Sequence, residues 1–228
     1  MARLPRFDLP GHLHLVIQRG REERRPFVDD HDRRRYLSAL VDASRAHDVA
    51  VHAYVLLIDD VLLLASPSRA GGLADFMQSI GRRYVKAFNH RHGRAGALWG
   101  GRYRCTVVEA ATQLIPCMRL IEQAPIRGRL AARPGEWPWS SAGHHLGERV
   151  DVLVSEHAAY WQLGNTPFER EARYGRESAA LLGEPESKKL LDAATHGWPI
   201  GSDAFLNDVA MLAGRPARPR ARGRPGRK

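Results

Sequence analysis

No apolar run in this chain approaches the roughly 20 residues that a membrane-spanning helix requires, so no membrane partner is expected. Cysteine is nearly missing as well: Cys105 and Cys117 are the two in 228 residues. Their separation has no metal-binding pattern, and both read as reduced packing thiols of a cytoplasmic protein. The N-terminus "MARLPRFDLPGHLH" has no apolar signal-peptide core, which points the same way. Hydrophobic residues still amount to 43%, enough for a globular core.

The most informative absence is that of acids from two stretches. Residues 215–228 carry Arg215, Arg218, Arg220, Arg222, Arg224, Arg227 and Lys228 with no carboxylate among them. The other 28 of the 35 basic side chains face 25 acidic ones, so much of the formal net charge of +10 sits in this tail. Gly81–Arg104 is the second stretch, with Arg82, Arg83, Lys86, Arg91, Arg94, Arg102 and Arg104. A sequence pI of about 10.3 favours a polyanionic partner. Nucleic acid is the expected class.

"HLHLVIQR" alternates and predicts a half-buried strand, with Leu13, Leu15 and Ile17 on one side and His12, His14 and Gln18 on the other. Asp30–His47 has helical spacing, with Asp29 or Asp30 as cap. "VAVHAYVLLIDDVLLLAS" predicts two strands joined at Asp59-Asp60, whose short carboxylates suit a tight turn. A helix follows over Leu73–His92, with Phe76, Ile80, Tyr84 and Phe88 on one face. "RYRCTVVE" is a fourth strand, and Thr112 can cap a helix running to about Ala124. Further helices are expected near Glu169–Leu182 and Ser202–Leu212, with Gly214 as a stop. This order predicts an α+β fold: a ferredoxin-like antiparallel sheet with helices on one face, a C-terminal helical extension and a basic tail. The divisions expected are 1–147 for the sheet domain, 148–214 for the extension and 215–228 for a disordered tail.

The stretches "VIQRG", "VAVHAYVLL", "GRRYVKAFNHRHGRAGALWGGRYR", "CMRLIEQAPIRG", "WPWSSAGHHLG" and "RGRPGRK" resemble, in order, the REP-associated tyrosine transposases, a branch of the single-tyrosine HUH transposases. The resemblance implies a ferredoxin-like domain that binds hairpin-forming single-stranded DNA. It also implies cleavage through a tyrosine, with a divalent metal such as magnesium on a His-hydrophobic-His motif. A metal would polarise the phosphate for a phenolic nucleophile that is weak near neutral pH. Against that pattern, the histidine positions hold Asp60 and Leu62, the nucleophile position holds Leu120, and the amide four residues on is Ala124. A catalytic set is therefore not expected, nor a metal site or other cofactor. His14 with Asp60 is the one rebuilt metal pair the strands allow; His90 and His92 do not face each other on a helix.

The expected partner is DNA, as hairpin or single-stranded repeats, and nothing in the sequence specifies an oligomer. The expected DNA contacts are Arg19, Arg82, Arg83, Lys86, Arg102 and Arg104 on phosphates and Trp99 on bases, with Gly100-Gly101 allowing close backbone approach. Tyr84 is expected in the core. Arg222 and Arg224 in "RGRP" are AT-hook-like and suit an A·T minor groove; a nonspecific polybasic tail is the alternative. The chain is thus expected to be a transposase-type DNA-binding protein without strand cleavage. An active transposase or endonuclease with a displaced site, and an RNA-binding ferredoxin-like module, stay open beside it.

Overall fold

The computed structural model describes residues 6–21 and 25–219. Four strands, β1 (Leu13–Arg19), β2 (Val49–Leu56), β3 (Asp60–Pro67) and β4 (Arg104–Val108), form one antiparallel sheet in the order β2-β3-β1-β4. Helix α1 (Asp30–His47) joins β1 to β2, α2 (Gly72–Arg91) joins β3 to β4, and α3 (Ala110–Glu122) follows β4. The expected α+β, ferredoxin-like layer is present.

Strand burial goes further than the alternation suggested. His14 and Gln18, expected on a polar face, are buried with the apolar residues of β1. The cause is that both faces of the sheet are covered. On one, Val16, Val51, Tyr54, Leu56 and Leu63 meet α1 and α2, including Tyr36, Leu40, Phe76, Ile80, Tyr84 and Phe88. On the other, Leu13, Leu15, Ile17, Val55, Leu62 and Leu64 meet α3 and the C-terminal extension.

Short helices α4 (Ala124–Arg127) and α5 (Ala142–His145) follow α3, and the extension comprises α6 (Ala158–Trp161), α7 (Pro167–Ser178), α8 (Glu184–His196) and α9 (Asp203–Ala213). Helices α6, α7 and α8 contribute Tyr160, Tyr174, Leu190 and Ala194 to the second core. Sheet edges are closed by irregular chain. Ile200 bridges Val108 beyond β4, while Ser140 and Val154 bridge Val55 and Val51 beyond β2. Both edges thereby lose much of their free hydrogen-bonding capacity.

Caps explain the helix ends. Asp29 accepts from Asp32 N–H and starts α1; Ser202 accepts from Phe205 N–H and starts α9, which Gly214 ends in the left-handed region. Helix α3 departs from expectation: it begins at Ala110, so Thr112 lies in its first turn and donates to Glu109 instead of capping. Pro116 therefore sits inside the helix, not at its start. Residues 215–219, grouped with the tail by composition, pack against the body: Ala217 joins Phe7, Val107 and Val209, and Arg218 reaches Asp203 at 2.6 Å.

Candidate nucleic-acid interface

The turn from β2 to β3 closes with Leu57 N–H donating to Asp60 C=O at 2.8 Å. Asp59 accepts from Gly20 N–H, just after β1, at 2.6 Å through its backbone carbonyl; among the described residues neither carboxylate of the turn bonds its own backbone. Asp60 lies 3.8 Å from Arg19, and burial raises its pKa despite that guanidinium. Leu62, Leu120 and Ile121 share one buried cluster; Leu62 is 5% exposed and Leu120 0%. Three of the four positions matched to catalytic groups thus lie on one side of the sheet or pack there: Leu62, Leu120 and the half-buried Ala124. Apolar carbon fills that space.

The pair His14 and Asp60 is not brought together. His14 pairs with Ala65 in β3, whereas Asp60 pairs with Arg19 five residues away. His14 also shares its side of the sheet with Val16, opposite that of Leu62. Its Nδ1–H donates to His12 C=O at 2.8 Å, and burial pushes its pKa down to about 4. It is a packed neutral imidazole. Among the described residues, no three His, Cys, Asp or Glu side chains converge as a metal site would require.

The basic residues separate into three groups. Arg82, Arg83 and Lys86 lie on the outer side of α2, where Arg83 pairs with Asp42 at 2.6 Å. Arg19 is exposed at the end of β1. Arg102 and Arg104 stand at the start of β4 and line a cavity of about 290 Å³. Trp99 is not among the residues that line that cavity. Its ring packs against Tyr36 and Tyr84 at 5.9 and 6.4 Å, with the indole N–H buried, so much of its surface is already taken. Gly100 is needed within the chain, because a Cβ there would stand 2.9 Å from Gly20 C=O. Tyr84 is in the core, donating to Pro26 C=O at 2.5 Å. Arg222 and Arg224 lie outside the described residues.

Two groups of residues were not legible as partners. Arg6 and Arg215 reach the cavity of Arg102 and Arg104 from opposite ends of the chain, which no local spacing signals. Glu122 is the other. It accepts from Ser141 Oγ at 2.5 Å, from His145 Nδ1 at 2.6 Å and from Tyr174 OH at 2.6 Å.

A solved structure of a REP-associated tyrosine transposase bound to a REP hairpin superposes with a TM-score of 0.53, covering 70% of this chain and 96% of that one at 16% identity. The two share a fold. A second, a candidate transposase of Deinococcus radiodurans R1, covers 57% of this chain and 98% of its own at 20% identity, with a TM-score of 0.36. Of the two, the first alone bears on the architecture. No protein-family model matches the chain, and no curated protein matches its sequence. Among the described residues no helix is long and apolar enough to cross a membrane.

Proposed function

We propose that this chain is a cytoplasmic DNA-binding protein of the REP-associated tyrosine transposase type, which holds hairpin or single-stranded DNA and does not cut it. Three features support DNA binding: the fold shared with a hairpin-bound protein, the acid-free basic segment, and arginines at β4 that have no carboxylate partner among the described residues. Arg19, Arg82, Arg83, Lys86, Arg102 and Arg104 supply phosphate contacts, and Trp99, partly buried against Tyr36 and Tyr84, offers its remaining exposed edge to a base. Arg222 and Arg224 add duplex contacts from the tail. Residues 1–147 form the binding domain, and 148–214 brace it from the side where the catalytic tyrosine of active relatives is expected.

The observation that carries the loss of cleavage is the burial of Leu62 and Leu120 in one apolar cluster. Neither side chain can bind a metal or attack phosphorus, and both are buried away from solvent. The test is a labelled hairpin DNA incubated with the protein and magnesium or manganese, followed by denaturing electrophoresis. The hairpin is expected to shift in a native gel, to stay uncut, and to form no denaturation-resistant adduct. An adduct on any residue would overturn the loss of cleavage; tighter binding of an RNA hairpin of equal length would overturn the DNA assignment.

A further inference from the structure

The cavity at β4 is lined by four arginines drawn from three separate parts of the chain: Arg6 before β1, Arg102 and Arg104 at β4, and Arg215 after α9. His196, at the end of α8, lies beside them, and among the described residues no carboxylate lines the space. Several arginines outside it do have carboxylate partners: Arg69 has Asp75, Arg83 has Asp42, and Arg91 has Asp29 and Asp32. Among the described residues, none of the four cavity arginines has such a partner. Asp8 is the nearby acid whose field reaches Tyr103 and Cys105, and its carboxylate accepts from Gly71 N–H at 2.5 Å. Burial pushes the Cys105 thiol up to about 12, so it stays neutral.

We propose that this cavity seats a phosphate-bearing nucleotide of a nucleic-acid strand, with Arg6, Arg102, Arg104 and Arg215 as its ligands. The proposal rests on the DNA-binding function above and gives it a place. Like charges gathered in one cavity repel, and an anion is what relieves them. The guanidiniums are also oriented in advance. Arg6 lies over the Tyr103 ring at 3.9 Å and donates to its carbonyl at 2.8 Å. Arg215 lies over Phe7 at 3.5 Å, and Arg104 donates to Thr195 C=O at 2.9 Å. Each guanidinium has five N–H donors, so most remain for a ligand, and their planar fork suits phosphate oxygens. A volume of about 290 Å³ exceeds what a lone phosphate needs and lies at the small end of ligand sites. One nucleotide unit fits that range. An internal phosphodiester and a terminal 5′-phosphate share the required chemistry.

The experiment uses the full chain and labelled single strands of one sequence, carrying either a 5′-phosphate or a 5′-hydroxyl. Arg102→Met is the first variant, because Arg102 is exposed and makes no hydrogen bond among the described residues, so the fold does not depend on it. The double variant Arg6→Met with Arg215→Met is the second, with circular dichroism reporting its folding. Each is expected to weaken strand binding about tenfold or more, and to flatten the salt dependence by about one unit per arginine removed. A preference for the 5′-phosphate that the variants lose identifies a terminal phosphate; equal losses on both strands identify an internal one.

Unchanged affinity and slope in Arg102→Met and in the folded double variant would overturn the pocket. If Arg82→Ala with Arg83→Ala and Lys86→Ala then weakens binding in the same assay, DNA binding stands without it. Should the unaltered protein bind no strand, a titration with a deoxynucleoside monophosphate decides. Binding that Arg102→Met abolishes keeps the pocket and removes the DNA function, and absence of binding overturns the pocket too.

Discussion

Glu122 shows how a single buried carboxyl group organises this molecule. It is 1% exposed, and Ser141, His145 and Tyr174 from three later segments all donate to its carboxylate. Glu122→Ala strands those donors in the core, and the expected loss is about 1–3 kcal/mol for each donor left without a partner. Glu122→Gln keeps the shape and one carbonyl acceptor, so its loss is expected to be smaller. Urea unfolding followed by tryptophan fluorescence measures both; equal stability of Glu122→Ala and the unaltered protein would remove Glu122 as the tie. His14 and His52 make a second prediction. Burial is the largest cause lowering both to about 4, from an ordinary 6.5. The unfolded chain therefore binds their protons first as pH falls through 6.5, and stability drops until the folded pKa near 4 is reached. Each histidine contributes about 3 kcal/mol that is present above pH 6.5 and lost toward pH 4. His52 Nδ1–H donates to Ser155 C=O at 2.6 Å and its Nε2 faces Ser66 Oγ at 3.0 Å, which a neutral ring satisfies. His52→Gln is expected to flatten the fall in urea midpoint between pH 6.5 and 4.5; an unaltered slope would refute the linkage.

At the scale of elements, the sequence disclosed most where local chemistry alone decides. Helix α1 was legible because Asp29 caps it and its apolar residues recur at helical spacing, and α2 because Phe76, Ile80, Tyr84 and Phe88 keep one face. Helix α8 went unseen. Its segment "EPESKKLLDAATH" is mostly polar, and the burial of Leu190 and Ala194 depends on β4 and β1 arriving beside them. The signals present were Pro185 in the first turn, Glu184 and Glu186 near the positive end, and Gly197 as the stop. The start of α3 was misplaced for a related reason: Glu109 takes hydrogen bonds from Ser202, 93 residues away, and only the folded chain provides them. Of the site, Leu62 and Leu120 were legible as apolar residues, but their joint burial in one cluster with Tyr160 and Tyr174 needed the extension. That burial yields a third prediction. Leu120→Tyr adds a ring and hydroxyl to a 0% exposed position, and overpacking is expected to cost about 1–3 kcal/mol without producing an adduct on hairpin DNA. Thermal unfolding and denaturing electrophoresis check the two halves; a stable variant that forms an adduct would show that the cluster is not closed.

For the whole molecule, the decisive quantity is where the positive charge is left uncompensated. The formal net charge is +10, yet Asp29, Asp32, Asp42 and Asp75 each hold an arginine of α2 or its approaches. Among the described residues the β4 cavity gathers four arginines with no carboxylate partner in one place, and the C-terminal segment adds five basic side chains after Pro219. The two are separable by truncation, because Arg215, Ala217 and Arg218 pack on the body while the residues after Pro219 offer almost no apolar surface by composition. Ending the chain at Pro219 removes Arg220, Arg222, Arg224, Arg227 and Lys228. It is expected to leave the melting temperature unchanged and to flatten the salt dependence of duplex binding by about four to five units. Loss is expected to be greater on A·T-rich than on G·C-rich duplexes if Arg222 and Arg224 enter the minor groove, and equal on both if the tail acts by charge alone. Ending it at Gly214 also removes the Ala217 contact, the Arg215 stack on Phe7 and the Arg218–Asp203 pair. That second truncation is expected to lower stability by about 1–3 kcal/mol and to weaken single-strand binding beyond the first. Equal melting of the two truncations would mean that residues 215–219 do not brace the body, and the cavity would then have lost one of its walls.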